Sequence, residues 1–384
     1  VAHPKSSFKG IGLYIHFPFC VKKCLYCDFV SYSVRVPNFR EYFSYLKKEI
    51  EIFLKRFPIN SALHIETLYI GGGTPSLING VDLKDLVNFL KGHFDFSHLS
   101  EFTVEANPES IERARFEIFK QIGVNRVSIG AQSFNDKTLK ILGRSHYGSD
   151  VEEKFYLLRD MGFDNINLDL IFALPDEDFD MQKYSLKKAI SLHPEHISYY
   201  ALMLERGTLL NRIRKQYKFI DEDIWVKEFE EGEEMLQENG YIHYEISNYA
   251  KKGFECRHNM KYWRSLPYLG FGVSAGGFFH NVRYVNVKHL ENYYKKIDQG
   301  KLPYSFKRKL EGKALKSEYV FMGLRLLEGI DPADYYMRFG SFFEDDFGKE
   351  VEELQKLGLI KIKDNITLTK KGIRFSNIVF REFI

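Results

Sequence analysis

The chain has 384 residues, 44% hydrophobic and 28% charged, with a net charge of +3, a length that suits about two domains and a substantial core. So small and dispersed a charge argues against nucleic acid or an anionic membrane as partner, and four cysteines cannot build a disulfide framework. No uninterrupted apolar run is long enough for an integral membrane segment; with polar residues from Val1 to Gly10 and few thiols, the expected compartment is the cytoplasm.

Gly12 to Phe17 reads as a buried strand leading straight into Cys20-Val21-Lys22-Lys23-Cys24-Leu25-Tyr26-Cys27. Three of the four cysteines fall in this loop, spaced Cys-x-x-x-Cys-x-x-Cys. Three thiolates can hold three irons of a [4Fe-4S] cluster, and with no fourth cysteine nearby the last iron is open to another ligand. Zinc is the alternative, but it usually closes its tetrahedron with a second Cys-x-x-Cys pair, which the chain lacks. A redox dithiol leaves Cys20 unexplained.

An amphipathic helix is predicted from Pro37 to Phe57. Strands follow at 67–70, 102–105, 126–129, 166–171 and 197–200, with helices near 82–92, 109–122, 135–142, 149–161, 180–192 and 221–239. Six strands each followed by a helix predict an α/β fold with a parallel sheet. Six units are too few for a closed eight-stranded barrel, so the expectation is a partial (β/α)6 barrel with its active face at the carboxyl ends of the strands.

The chemically capable residues fall at those ends. Gly71-Gly72-Gly73-Thr74-Pro75 follows the second strand, where glycines would let backbone N–H groups face a ligand. Glu105 ends the third strand, Gln132 the fourth, Arg144 lies beyond the next helix and Asp169 sits on the fifth strand. Each one alone reads as a cap or a surface charge. Their recurrence after successive strands points to one site.

Toward the carboxyl terminus the pattern changes. Helices at Ser317 to Leu327 and Phe347 to Leu357, a hairpin at 359–362 and 366–368 and a final helix from Lys370 to Phe383 suggest a small winged-helix-like α+β domain. Glu350, Glu352 and Glu353 on its second helix have the wrong sign for a phosphate-facing element. The division expected is 1–294 for the barrel, 295–316 for a basic, solvated linker and 317–384 for the small domain.

On Tyr-Ile-His-Phe-Pro-Phe-Cys, the cysteine loop, Gly-Gly-Gly-Thr-Pro, Glu-Ala-Asn-Pro, Gly-Ala-Gln-Ser-Phe and Asp-Leu-Ile-Phe-Ala-Leu-Pro, the sequence resembles the radical S-adenosylmethionine (SAM) proteins. The branch is the one that holds the oxygen-independent coproporphyrinogen III dehydrogenases (HemN) and the HemW haem chaperones, and the resemblance covers nearly the whole chain. It implies that Cys20, Cys24 and Cys27 ligate a [4Fe-4S] cluster and that SAM binds the open iron and is cleaved to an adenosyl radical. It also implies that Tyr14, Gly72, Gly73, Thr74, Glu105, Gln132, Arg144, Asp169 and Ala201 surround SAM. A zwitterion carrying a sulfonium needs both carboxylates and a cation around it.

Within the branch, the decarboxylating dehydrogenases carry a further cysteine where this chain has Phe29, and a longer segment before the first cysteine. The chaperones carry His-Asn-x-x-Tyr-Trp, here His258-Asn259-Met260-Lys261-Tyr262-Trp263. Both features place the resemblance closer to the chaperones, with haem as cargo and His258, Tyr262, Trp263 and Cys256 as candidate haem contacts; the alternative for these four is packing within a loop. A haem acceptor protein and an electron donor such as a flavodoxin or ferredoxin are implied partners. The competing activity is radical decarboxylation of porphyrinogen propionates, with radical haem opening a more distant option.

Overall fold

Six strands, β1 (Ile11–Phe17), β2 (Ile65–Gly72), β3 (Glu101–Ala106), β4 (Arg126–Gln132), β5 (Ile166–Phe172) and β6 (His196–Ala201), lie side by side in chain order and parallel. They belong to a computed structural model that describes residues 9–34, 39–57 and 63–384. Most of their residues are buried, on both faces of the sheet. Helices cross between them, among them Arg40–Arg56, Gly80–Lys91, Gly148–Asp160 and Phe179–Ser191. The start expected at Pro37 for the first of these helices lies outside the described residues.

The sheet extends further than the six units. Tyr268–Phe271 pairs parallel with the free side of β1, and Gly276–Phe279, Val282–Asn286 and Tyr304–Lys309 continue antiparallel from it. At the other edge Asn248–Ala250 and Ile242–Glu245 close antiparallel on β6. The order of this 12-stranded sheet is linear, so among the described residues its two end strands do not meet and the barrel is open. Glycines hid the Tyr268–Phe279 strands from periodicity: a Cβ on Gly270 would lie 1.9 Å from the Gly276 carbonyl oxygen, an approach that only glycine permits.

Residues 295–316 are not the expected linker. They contain the end of the helix Leu290–Asp298, the edge strand Tyr304–Lys309 and the start of the helix Gly312–Gly323. Lys307, Arg308 and Lys309 are the charges that protect an exposed sheet edge from pairing with another chain. Beyond them come the helices Pro332–Phe339 and Phe343–Lys356 and the hairpin Ile360–Ile362 with Ile366–Leu368, the order of a winged-helix-like unit. The single last helix expected is two, Lys370–Arg374 and Ser376–Arg381, broken at Phe375.

One apolar core runs through both parts, joining Leu13, Ile70 and Val104 of the barrel to Val320, Phe347 and Phe380 of the carboxyl-terminal segment. Backbone bonds from Leu327 to the Tyr244 carbonyl (3.0 Å) and from Ile246 to that of Arg325 (3.2 Å) tie the segment to the β6 edge. At the end of β1 an aromatic nest roots the cysteine loop. Phe17 lies edge-on to Phe39 at 4.7 Å and Phe19 stacks on Phe39 at 5.1 Å, each ring contributing about 1.5–3 kcal/mol through burial. The Tyr42 hydroxyl donates to the His16 carbonyl at 2.6 Å.

Candidate functional site

The cysteine loop is held at both ends. Phe19–Cys20 pairs with Tyr32–Ser33, and the Val34 amide donates to the Cys20 carbonyl at 2.9 Å. In the middle, Leu25 donates to the Leu142 carbonyl (2.9 Å) and accepts from the Leu210 amide (2.8 Å). Gly143, at φ 76°, lies where a Cβ would come 2.8 Å from Leu25 Cγ, so a side chain there would lift the loop. Cys20, Cys24 and Cys27 are free thiols, each partly exposed.

Two polar groups face the sulfurs. Thr74 Oγ1 donates to Cys20 Sγ and Arg144 Nη1 to Cys24 Sγ, both at 3.4 Å. Burial pushes the Cys27 thiol up to about 11 and raises that of Cys20, so binding of a metal centre must displace their protons.

Asn107 links the loop to the barrel. Its Nδ2 donates to Thr74 Oγ1 at 3.0 Å and its Oδ1 accepts from Arg144 Nη2 at 2.8 Å. Arg144 Nη2 also reaches the Gly130 carbonyl at 2.7 Å, while its Nε is buried without a partner. Asn107 was not among the expected contacts, although it stands in the Glu-Ala-Asn-Pro motif.

The glycine-rich turn is built differently from expectation. The amides of Gly72, Gly73 and Thr74 point inward: Gly72 donates to Glu105 Oε2 (2.8 Å), Gly73 to the Phe17 carbonyl (2.7 Å) and Thr74 to that of Phe19 (2.8 Å). A Cβ on Gly73 would lie 2.5 Å from the Phe19 carbonyl oxygen. These glycines therefore clamp the turn against the root of the cysteine loop and do not offer N–H groups to a ligand.

Beside the loop a cavity of about 600 Å³ opens at the carboxyl ends of the strands, within the range of ligand sites. Glu105, Gln132, Asp169 and Ala201 line it together with Cys27. Glu105 accepts from the Tyr69 hydroxyl at 2.8 Å as well as from Gly72; burial outweighs both bonds and pushes its carboxyl up to about 7. Asp169, also raised by burial, accepts from Asn167 Nδ2 (2.7 Å) and Ser128 Oγ (3.2 Å). Gln132 holds φ 67° at an irregularity in β4, an uncommon conformation for a non-glycine residue that aims its side chain inward, where the Tyr200 hydroxyl donates to it at 3.2 Å. Tyr14, in contrast, turns its hydroxyl to His16 Nδ1 at 2.9 Å.

The far wall of the cavity comes from the carboxyl-terminal segment through Arg325, Ile373, Arg374 and Ser376. Nothing in their sequence marked them, because they are single residues in an element whose position depends on tertiary packing. Phe29 and Met203, 61% and 60% exposed, stand at the mouth.

None of the four candidate haem contacts lines this cavity, and two of them, His258 and Cys256, are buried. The helix Arg257–Trp263 plugs the amino ends of the strands. His258 is 0% exposed, with Nδ1 bonded to Thr67 Oγ1 at 2.8 Å and Nε2 to the Tyr262 hydroxyl at 2.7 Å, so neither ring nitrogen is open to an iron. Burial, then the charges of Lys261 and Arg126, lower it to about 3. Cys256 is likewise 0% exposed, its sulfur against Glu101 Oε1 at 3.6 Å. Trp263 reaches the cavity wall only through Arg325, whose guanidinium lies 4.3 Å from its ring.

These residues fit a cluster with one open iron beside a small zwitterionic cofactor. Three thiols share one loop, two buried carboxylates face the cavity, and a buried guanidinium beside Cys24 has an unfilled N–H. Comparison with known proteins agrees. Residues 14–187 match the radical SAM superfamily and residues 310–375 the HemN C-terminal domain. The chain is 34% identical over 380 residues to the heme chaperone HemW of Lactococcus lactis, covering 98% of each chain. It is 33% identical over 375 residues to that of Bacillus subtilis, covering 97% of this chain and 98% of the other. Among solved structures, coproporphyrinogen III oxidase (HemN) from Escherichia coli has a TM-score of 0.84 at 24% identity, over 99% of this chain and 91% of that one, a likeness of fold.

Proposed function

The chain belongs to the radical SAM superfamily and, within it, to the heme chaperone HemW family, and from that premise we propose how its residues divide the work of carrying haem. Membership brings a [4Fe-4S] cluster, SAM and haem as bound cargo destined for an acceptor protein. Cys20, Cys24 and Cys27 hold the cluster. When bound, the reduced cluster supplies one electron to the sulfonium cofactor. Arg144 takes a carboxylate through its unfilled Nε–H while Asn107 fixes its other end; Glu105 and Asp169 face the cationic and hydroxyl groups, and Gln132 and Ala201 complete the cavity wall. Tyr14 holds His16 through its hydroxyl.

Two further assignments belong to this reading. The electron comes from a small carrier such as a flavodoxin or ferredoxin, and the protein works in the cytoplasm. No helix among the described residues is long and apolar enough to cross a membrane.

One observation carries the chaperone over the decarboxylase: identity of 32–34% to HemW chaperones extends across 97–98% of this chain. Phe29, exposed at the cavity mouth, adds to it by standing where the decarboxylases have a cysteine. The test is anaerobic reconstitution of the cluster, then titration with haem and, separately, incubation with coproporphyrinogen III, SAM and a reductant. Stoichiometric haem binding with intact propionates is expected; decarboxylated porphyrinogen would overturn the assignment.

A further inference from the structure

The far wall of the cavity holds a cation that the cofactor site does not use. Arg325 follows the helix Gly312–Gly323, and its backbone carbonyl is fixed by the Ile246 amide at 3.2 Å. Its guanidinium is sandwiched, 4.3 Å from the Trp263 ring and 5.6 Å from that of Phe380. It makes no hydrogen bond or ion pair among the described residues, and its Nε is buried without a partner. Glu245 attracts it without a hydrogen bond to it: Oε1 of that carboxylate accepts from the Ser247 amide and the Asn248 side chain, and its Oε2 is buried without a partner. A desolvated guanidinium facing a cavity without a bonded anion is costly unless a ligand provides one.

Arg374 stands in the same wall. Glu230 takes one end of it at 3.1 Å, and its Nε is also buried and unfilled. Trp225 and Phe229 line the same cavity, and Trp225 stacks on Phe229 at 5.7 Å. Two forked cations beside an apolar aromatic surface match a flat hydrophobic molecule that bears carboxylates. Arg144 cannot serve this end, because Cys24, Asn107 and Gly130 hold it on the barrel side.

We propose that Arg325, with Arg374 beside it, reads the propionate carboxylates of the haem cargo. The proposal rests on the haem-carrying function above. It gives the carboxyl-terminal segment a direct part in choosing the cargo, and gives Trp263 the role of holding Arg325 flat against the cavity.

The test compares haem with haem dimethyl ester on the full-length, cluster-reconstituted protein, because the ester keeps the ring and iron and removes the acidic carboxylates. The wild-type protein is expected to bind haem about tenfold more tightly than the ester, as one charged, forked contact implies. Arg325→Gln should remove that preference by weakening haem alone, and Arg374→Gln should reduce it about threefold. Equal wild-type affinity for the two ligands overturns the proposal without needing any variant. Parallel loss of both ligands in Arg325→Gln also overturns it, because the residue would then be a prop for Trp263. If wild-type protein binds neither ligand, the carrier function itself fails, a result distinct from the other two.

Discussion

At the carboxyl ends of the strands, Arg144 leaves an N–H unfilled, Glu105 and Asp169 carry carboxyl groups raised by burial, and the cysteine loop is partly exposed. At the amino ends, the helix Arg257–Trp263 is sealed: Lys261 bonds Glu66 at 2.8 Å, the amides of Arg257 and His258 bond Glu101, and His258 uses both nitrogens. Both segments are rich in residues that bind metals. What separates them is pairing: the Arg144 Nε is left without a partner beside the cysteine loop, whereas Lys261 and both nitrogens of His258 are bonded within the chain, although Trp263 Nε1 and Arg126 Nε at that end are unfilled too. This is the division expected of a barrel, with chemistry at one face and stability at the other. The two ends meet at Tyr69, whose hydroxyl bonds Glu105 and whose ring lies 5.2 Å from His258.

The comparison breaks most sharply at Cys24. Cys24→Ala should abolish the cubane iron signal in reconstituted protein, yet change the unfolding free energy of the metal-free chain by no more than about 0.5 kcal/mol, because the side chain is partly exposed. Iron content and denaturant unfolding give the two readouts. A loss of several kcal/mol in the metal-free chain would mean that the loop is part of the folding core. The reverse pattern is expected at the plug. Lys261 and Glu66 are 0% and 3% exposed, so Lys261→Met should cost about 1–3 kcal/mol by removing one charged partner of Glu66 while Arg257 remains, and protein that still folds keeps its cluster. His258→Ala strands Thr67 and Tyr262 and should cost about 2–3 kcal/mol. Its haem affinity should equal that of the wild type; loss of haem with full stability would return His258 to the cargo site.

The six strand–helix units were legible because short β-prone segments alternate with longer helical ones, and β1 through β6 all appear where the sequence places them. The site was legible in part, since Glu105, Gln132, Asp169 and Ala201 share one cavity with Cys27. Three things escaped sequence reasoning for physical reasons. Hydrogen-bond direction is invisible in Gly72-Gly73-Thr74, whose amides turn inward. A histidine carries no sign of whether its nitrogens are already bonded. Arg325 and Arg374 are isolated arginines that acquire meaning only when the carboxyl-terminal segment folds against the barrel.

The smallest effect, and the finest probe of the comparison, is the response of the two ends to pH. Glu105 is raised from 4.5 to about 7 by burial, so its contribution to the stability of the cofactor-free chain is full below about pH 4.5 and is lost as pH rises through 7. His258 is lowered from 6.5 to about 3; its contribution is present above pH 6.5 and is lost as pH falls toward 3. The ends therefore prefer opposite conditions, and only the cofactor end should couple to ligand. A cationic cofactor selects the ionised form of Glu105, which grows about tenfold between pH 6 and pH 8 for a group titrating near 7. The cofactor's own amine titrates close by, so the quantity to measure is the ratio of wild-type to Glu105→Gln affinity, in which that titration cancels. The ratio should rise about tenfold across this range. A flat ratio would show that the Glu105 carboxylate does not face the cationic part of the cofactor, and that its bonds to Tyr69 and Gly72 serve the clamp alone.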